Sequence, residues 1–286
     1  VVENQQTSLE YCLDRARSQD HDRYLCALYA PKDVRNAIMV LLAFNNELAE
    51  VNDKVSEPML GEIRLQWWRD ALEDLYKGTV RKHPVVQSMD EVAMVKRLDE
   101  DVLMGLVDAR VPDIYNEQAK SSDDLVSHLG DVAGDLHVAM GYLLVGDKIT
   151  DEQQKSLKAV GTAWGLLGLI KACCFQAGVA SDKIPDDVLV EAGISRESLY
   201  EGHVDHNMVL VIKDLVGKIR LASNEARGLS KLEAKPLLPA LLSLRLVNHY
   251  LGDWENNAYD PNYMNKEKGI LGRQWTLFKA ALFGNY

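Results

Sequence analysis

The chain has 286 residues, 47% hydrophobic and 26% charged, an ordinary globular balance that argues against disorder. At this length a chain can bury about three quarters of its surface, enough for a sizeable core. The net charge of −11 sets the protein as a whole against nucleic acid and against anionic membrane at long range. That charge is uneven. Glu201–Tyr286 holds 11 Lys/Arg against 9 Asp/Glu, so residues 1–200 carry −13 and a locally basic surface near the C-terminus stays open.

The four cysteines, Cys12, Cys26, Cys173 and Cys174, have neither zinc-site spacing nor the look of a disulfide framework, and read as reduced thiols of a cytosol-like compartment. Val1–Leu9 is polar after its first two residues and does not read as a signal peptide, although a chain that does not start with Met leaves a removed leader open. The longest apolar stretch, Ala159–Ile170, is too short to span a bilayer and is closed by Lys171.

Helical periodicity dominates. Asp33 to about Asp53 is expected to be one helix, with Ala37, Val40, Leu41, Phe44, Leu48 and Val51 on one side. Pro58 starts the next, where Ile63, Trp67, Ala71 and Leu75 recur every four residues until Gly78 ends it. Glu91–Ala109 continues the pattern, and Ser121–Asp123 opens a long run to Leu144. Gly146–Thr150 is a turn, and Asp151 opens a helix to about Gly178. After the loop Ser181–Pro185 comes a short helix up to Ala192 and Gly193, then a turn near Ser195. Met208–Leu229, Pro236–Trp254 and Ile270–Phe283 complete the series, with a polar loop over Asn256–Asn265. Short loops and the lack of a linker or repeat predict an all-α chain forming one domain over residues 1–286.

Two stretches suggest chemistry. In the first, Glu47, Glu50, Asp53 and Glu57 fall within about a third of the circumference of an ideal helix. Glu50 and Asp53 are the candidate magnesium ligands; the plain alternative is a solvated acidic face on an acidic protein. The second, Ala159–Gln176, contains no acid but carries a stripe of small residues, Gly161, Gly165, Gly168 and Ala172. Three glycines cost a helix about 1 kcal/mol each relative to Ala, so the stripe should serve either close helix packing or a lipid-sized cavity. Trp67, Trp68 and Trp164 are either core or pocket lining. His203 and His206 are read as a surface turn rather than a metal pair, and His83 as structural. In the last helix Leu271, Trp275, Phe278 and Leu282 suit a membrane surface or packing on the bundle, and packing is the commoner fate of such a face.

The order of several pieces resembles the squalene/phytoene synthase family over nearly the whole chain: Asp22-Arg23-Tyr24, Ala27-Leu28, Pro31, Arg35 and Ala43-Phe44; Trp68, Asp70, Leu72, Tyr76, Gly78 and His83-Pro84-Val85; Ile184–Ser195; and Arg245, Tyr250 and Asp260-Pro261. The resemblance implies an isoprenoid-synthase-like helical bundle around a central cavity, and magnesium-dependent condensation of prenyl diphosphates. The family's first acidic motif falls on Ala49, Glu50 and Asp53, after Asn45-Asn46 in place of Cys-Arg. Its second falls on Ala172 and Gln176, preceded by Lys171 where the family has arginine, and both acids are missing. Gly165 and Gly168 stand where Gln and Asn are usual, His128 where a tyrosine is usual, and Ala180–Pro185 keeps only its proline.

The stretch Ala43–Glu57, with Gly61, Gln66 and Trp68, resembles the branch that includes mitochondrial complex I assembly factor 6 and its α-proteobacterial relatives. That likeness implies a non-catalytic assembly or scaffold protein, with a respiratory complex subunit or assembly factor as partner and a lipid or isoprenoid in the former pocket. Its setting would be the bacterial cytoplasm or the mitochondrial matrix, in peripheral contact with the inner membrane. No cofactor is then expected. The alternative is an active prenyl transferase with a reduced magnesium site on Glu47, Glu50, Asp53 and Glu57. His128, Gly161, Gly165 and Gly168 are the pocket candidates on either reading.

Overall fold

Thr7 opens the first helix with a reciprocal cap: its hydroxyl takes the Glu10 amide while the Glu10 carboxylate takes the Thr7 amide. This helix, α1 (Ser8–Gln19), and α2 (His21–Ala27) precede the first element expected from periodicity. The computed structural model describes residues 6–175, 183–197, 207–264 and 269–286, and every regular element among them is helical. The chain continues through α3 (Lys32–Ala49), α4 (Pro58–Tyr76), α5 (Pro84–Glu91), α6 (Glu100–Asp108), α7 (Val111–Ile114), α8 (Ser122–Leu129) and α9 (Asp135–Val145). It ends with α10 (Asp151–Phe175), α11 (Asp186–Ala192), α12 (Met208–Ala226), α13 (Ser243–Asn256) and α14 (Ile270–Phe283). One contiguous core runs from Cys12 to Ala280.

Two helices are central because their apolar residues run nearly all round. In α3, Val34, Ala37 to Phe44 and Leu48 are all buried. In α10, Leu157, Val160, Ala163, Leu166, Leu167 and Ile170 are buried, and α12 and α9 pack along it. Its length and composition would suit a membrane span, yet most of it lies inside the fold.

Four predicted helices are interrupted. The helix expected to reach Asp53 ends at Ala49, and Asn52–Lys54 forms a separate 3-10 turn. Asn and Asp compete for nearby backbone groups and are poor interior helix residues. The run Glu91–Ala109 breaks at Ala93, which is left-handed (φ 51°), so that Met94 and Leu98 both reach the core before α6 starts. Pro236 and Pro239, which lack an amide hydrogen, divide the expected Pro236–Trp254 helix into short turns before α13. Between α8 and α9, Gly130–Gly134 forms a π-helical turn.

Helix α10 approaches that turn closely. A β-carbon on Gly161 would sit 2.2 Å from the Ala133 carbonyl oxygen, and one on Gly134 would sit 2.9 Å from the Lys158 carbonyl oxygen. Gly165 also packs on Leu129 and Ala133, whereas Gly168 is exposed with nothing within 4 Å of its missing side chain. The glycine stripe thus divides into packing at Gly161 and Gly165 and open surface at Gly168. Gly161→Ala should cost about 1–3 kcal/mol by overpacking. Gly168→Ala should stabilise by about 1 kcal/mol, since only helix propensity changes there. Urea unfolding of both variants checks the contrast, and equal costs would refute it.

The turn also presents the Ala133 carbonyl to His137, which is fully buried. A neutral imidazole there donates from Nδ1 to Ala133 (2.9 Å) and accepts at Nε2 from the Ser243 hydroxyl (3.0 Å), tying α9 to α13. Burial, reinforced by the Arg23 charge, lowers its pKa to about 3. The unfolded chain therefore binds a proton that the native state refuses once pH falls below the unfolded value of 6.5. His137 should withdraw about 1.4 kcal/mol of stability per pH unit below that point. Urea melts from neutral to mildly acidic pH measure the slope, and His137→Met should flatten it.

Candidate functional site

At the end of α3, Glu47 and Glu50 both face α1. The Tyr11 hydroxyl donates to Glu47 (2.7 Å), and Arg15 Nε lies 3.1 Å from the same carboxylate. Arg15 Nη2 donates to Glu50, and Lys54 reaches Glu50 at 2.5 Å. Arg15 and Glu47 are mostly buried, with 12% and 13% of their side chains exposed. Burial raises the Glu50 pKa, but the Lys54 and Arg15 bonds outweigh it and hold the carboxyl below its ordinary value. Burial, assisted by the Glu47 carboxylate, pushes the Tyr11 phenol up to about 12. Asp53 sits exposed on the 3-10 turn, and Glu57 is exposed in extended backbone ahead of α4. The four acids therefore do not form one helix face.

On α10, Lys171 places Nζ 4.3 Å from the centre of the Tyr250 ring. The Tyr250 hydroxyl donates to buried Asp22 (2.8 Å), and Arg273 from α14 donates to the other oxygen of that carboxylate. Burial and the Asp22 charge raise the Tyr250 phenol well above its ordinary value. Ala172 is half-buried and offers no oxygen ligand from its side chain. Gln176, His203 and His206 lie outside the described residues.

A second carboxylate gathers residues from four places in the chain. Asp113 on α7 accepts from Lys183 Nζ at 2.6 Å and lies 3.3 Å from His128 Nε2 and 3.5 Å from Arg110 Nη1. Arg110 Nη2 donates to the Asn45 side-chain oxygen on α3 (2.9 Å). Burial disfavours the charged form of Asp113, but the His128 hydrogen bond and the Lys183 and Arg110 charges overcome it and hold the carboxyl far below the usual range. A carboxylate held so firmly ionised is a weak base, suited to clamping elements together rather than to proton transfer.

The matching family model, squalene/phytoene synthase, covers residues 16–275. The chain belongs to the squalene/phytoene synthase family. It is 28% identical over 251 residues to "NADH dehydrogenase (ubiquinone) complex I, assembly factor 6" of Mus musculus, covering 87% of this chain and 74% of that protein. It is 23% identical over 258 residues to a chloroplastic phytoene synthase of an Oncidium hybrid cultivar, covering 87% of this chain and 62% of that one. Its fold matches a dehydrosqualene synthase solved with a ligand, with a TM-score of 0.76 at 16% identity over 96% of this chain and 95% of that one.

Asn45, His128 and Lys183, which the resemblance places at family motif positions, are all brought to the Arg110–Asp113 pair. Magnesium needs several converging oxygen ligands in near-octahedral array. Here the acids of the first motif are neutralised by Arg15 and Lys54 or stand apart in solvent, and no three His, Cys, Asp or Glu side chains among the described residues converge as a metal would require. The donor set does not fit the family's metal cluster.

None of His128, Gly161, Gly165 and Gly168 lines the cavity of about 220 Å³ that opens beside the first motif. Its walls are Glu47, Val51, Lys54, Arg64, Trp67, Trp68 and His83. Trp67 and Trp68 line it, and Trp68 also packs edge-on to Phe44 with ring centres 5.2 Å apart. Trp164 instead lies half-buried under the Arg23 guanidinium, 5.9 Å away. Sequence spacing gave no hint of Arg15 or Arg273, whose partners lie on other elements, nor that the i,i+3 pair Arg110–Asp113 would gather Asn45, His128 and Lys183. Asp113→Asn strips a buried arginine of its counter-charge and should lower the unfolding free energy by about 3 kcal/mol. Asp53→Asn, at an exposed site, should change it by less than about 0.5 kcal/mol. Urea denaturation decides, and a harmless Asp113→Asn would show that Asp113 does not hold these elements together.

Proposed function

We infer that this chain is a non-catalytic squalene/phytoene synthase family member that acts as an assembly or scaffold factor for a respiratory complex of the NADH dehydrogenase type. One observation carries the reading: Glu47 and Glu50 are committed to Arg15 and Lys54 where the family would gather metal ions. Ala172 removes a second-motif acid as well. A departing diphosphate develops several negative charges, and stabilising them takes metal ions or a comparable cluster of cations. The similarity to complex I assembly factors of mammals supports the same role and a setting in the mitochondrial matrix, or in the cytoplasm of a bacterium with a related complex.

The partner is then a subunit or another assembly factor of that complex. A retained lipid or isoprenoid is a lesser part of the reading. The cavity beside Trp67 and Trp68, at about 220 Å³, is smaller than the roughly 300–1,000 Å³ of ordinary small-molecule sites.

Purified protein with magnesium and radiolabelled farnesyl or geranylgeranyl diphosphate should release no pyrophosphate above the blank, beside an active family member as control. Clear turnover would overturn the non-catalytic reading. Cells that lack the protein should assemble less NADH dehydrogenase on native gels, and a normal amount of assembled complex would overturn the assembly role.

A further inference from the structure

The last helix carries two apolar faces that point in opposite directions. On the inner one Leu277 and Ala280 are buried, and Arg273 reaches inward to Asp22. At 100° per residue, Leu271, Trp275, Phe278 and Leu282 fall within about 60° of one another, roughly opposite Ala280. These four are 81%, 58%, 50% and 66% exposed, so among the described residues no wall covers them and the face is a ridge rather than a groove. The Trp275 and Phe278 rings stack with centres 5.7 Å apart, and the Lys279 ammonium lies 5.2 Å from the Trp275 ring. Ile270 and Phe283 extend the apolar surface at the two ends of the helix, 49% and 64% exposed.

Contiguous exposed apolar residues on a folded protein mark a contact surface. A protruding ridge needs an occupant that is concave or deformable. Charge narrows the choice. In a chain of net charge −11, residues 269–286 contain no Asp or Glu, so no side-chain carboxylate of this segment has to be brought against lipid phosphates, and with Arg273 turned inward to Asp22, Lys279 is the cation beside the ridge. Tryptophan stacked beside an aromatic ring and flanked by a lysine suits the boundary between headgroups and acyl chains. The inner face is already closed by its own contacts, so the outer one can be buried without opening the fold.

We propose that α14 docks the protein on a phospholipid bilayer, lying in the plane of the surface with Leu271, Trp275, Phe278 and Leu282 in the headgroup–acyl boundary and Lys279 among the phosphates. The proposal stands independently of the assembly role, because it rests on α14 alone.

The full chain is mixed with sucrose-loaded vesicles of phosphatidylcholine and phosphatidylglycerol, sedimented, and followed by tryptophan emission. The wild type should sediment with the vesicles and its emission should shift to the blue. Trp275→Phe should still sediment but lose most of that shift, because the other four tryptophans lie elsewhere. Leu271→Ser/Phe278→Ser/Leu282→Ser should partition at least about tenfold more weakly. Lys279→Glu should weaken binding several-fold through the phosphates. Urea midpoints confirm that these exposed changes leave the fold intact, and Trp275→Glu serves as a single-site alternative if the triple variant unfolds. Equal sedimentation of wild type and ridge variants would overturn the proposal. So would a wild type that ignores vesicles but forms dimers which the ridge variants abolish, since the ridge would then be a contact between copies.

Discussion

The contact between α10 and the π turn at Gly130–Gly134 is the constraint on which the rest of the packing depends. Two backbones meet there closely, because Gly161 faces the Ala133 carbonyl and Gly134 packs on the Lys158 carbonyl and the stem of its side chain. That closeness sets the depth of α10 in the bundle, with α12 along it and α9 continuing from the turn. The same turn aims the Ala133 carbonyl at His137, which links α9 to α13. Glycines that lower the helix propensity of α10 thus permit the approach that places its neighbours.

Around this spine, the buried carboxylates are paired with cations of the chain itself. A metal-dependent prenyl synthase concentrates carboxylates and leaves cations to bind between them. In this chain Arg15 and Lys54 take up Glu47 and Glu50, Arg110 and Lys183 take up Asp113, and Arg273 takes up Asp22. Pairs that are largely buried lose much of their attraction to desolvation, so their net contribution to stability is modest while the loss of one partner is costly. They therefore fix geometry more than they add stability. The result is a frame whose buried acids are already occupied.

Much of the architecture was legible in the sequence. Period-3.6 patterns located the long helices, and the ordered pieces from Asp22 to Pro261 revealed the family. Breaks within patterned runs were harder to see. Ala93 adopts a left-handed conformation that nothing in its residue type announces, and the α8–α9 π turn keeps helical periodicity while changing its phase. The capping box Thr7–Glu10 marks α1, an element that the periodicity reading left out. The acids of the first motif were found, but their neutralisation was not, because Arg15 lies 35 positions from Glu50 and becomes its neighbour only on folding. The last helix was expected to pack through Leu271, Trp275, Phe278 and Leu282. It packs instead through Leu277 and Ala280, since an apolar residue type alone does not say which of two apolar faces turns inward.

The link between Asp22 and Arg273 joins positions 251 residues apart. During synthesis α2 emerges well before its counter-ion on α14. Until Arg273 arrives, the Asp22 carboxylate is better kept in water than sealed between α2 and α13, so this side of the bundle must remain open while the helices between them assemble. A contact between positions so far apart in the chain is costly to close early, because loop closure carries an entropy cost. The seam between α2 and α13 is therefore completed only once α14 is present, and its closure reports that translation has passed α14.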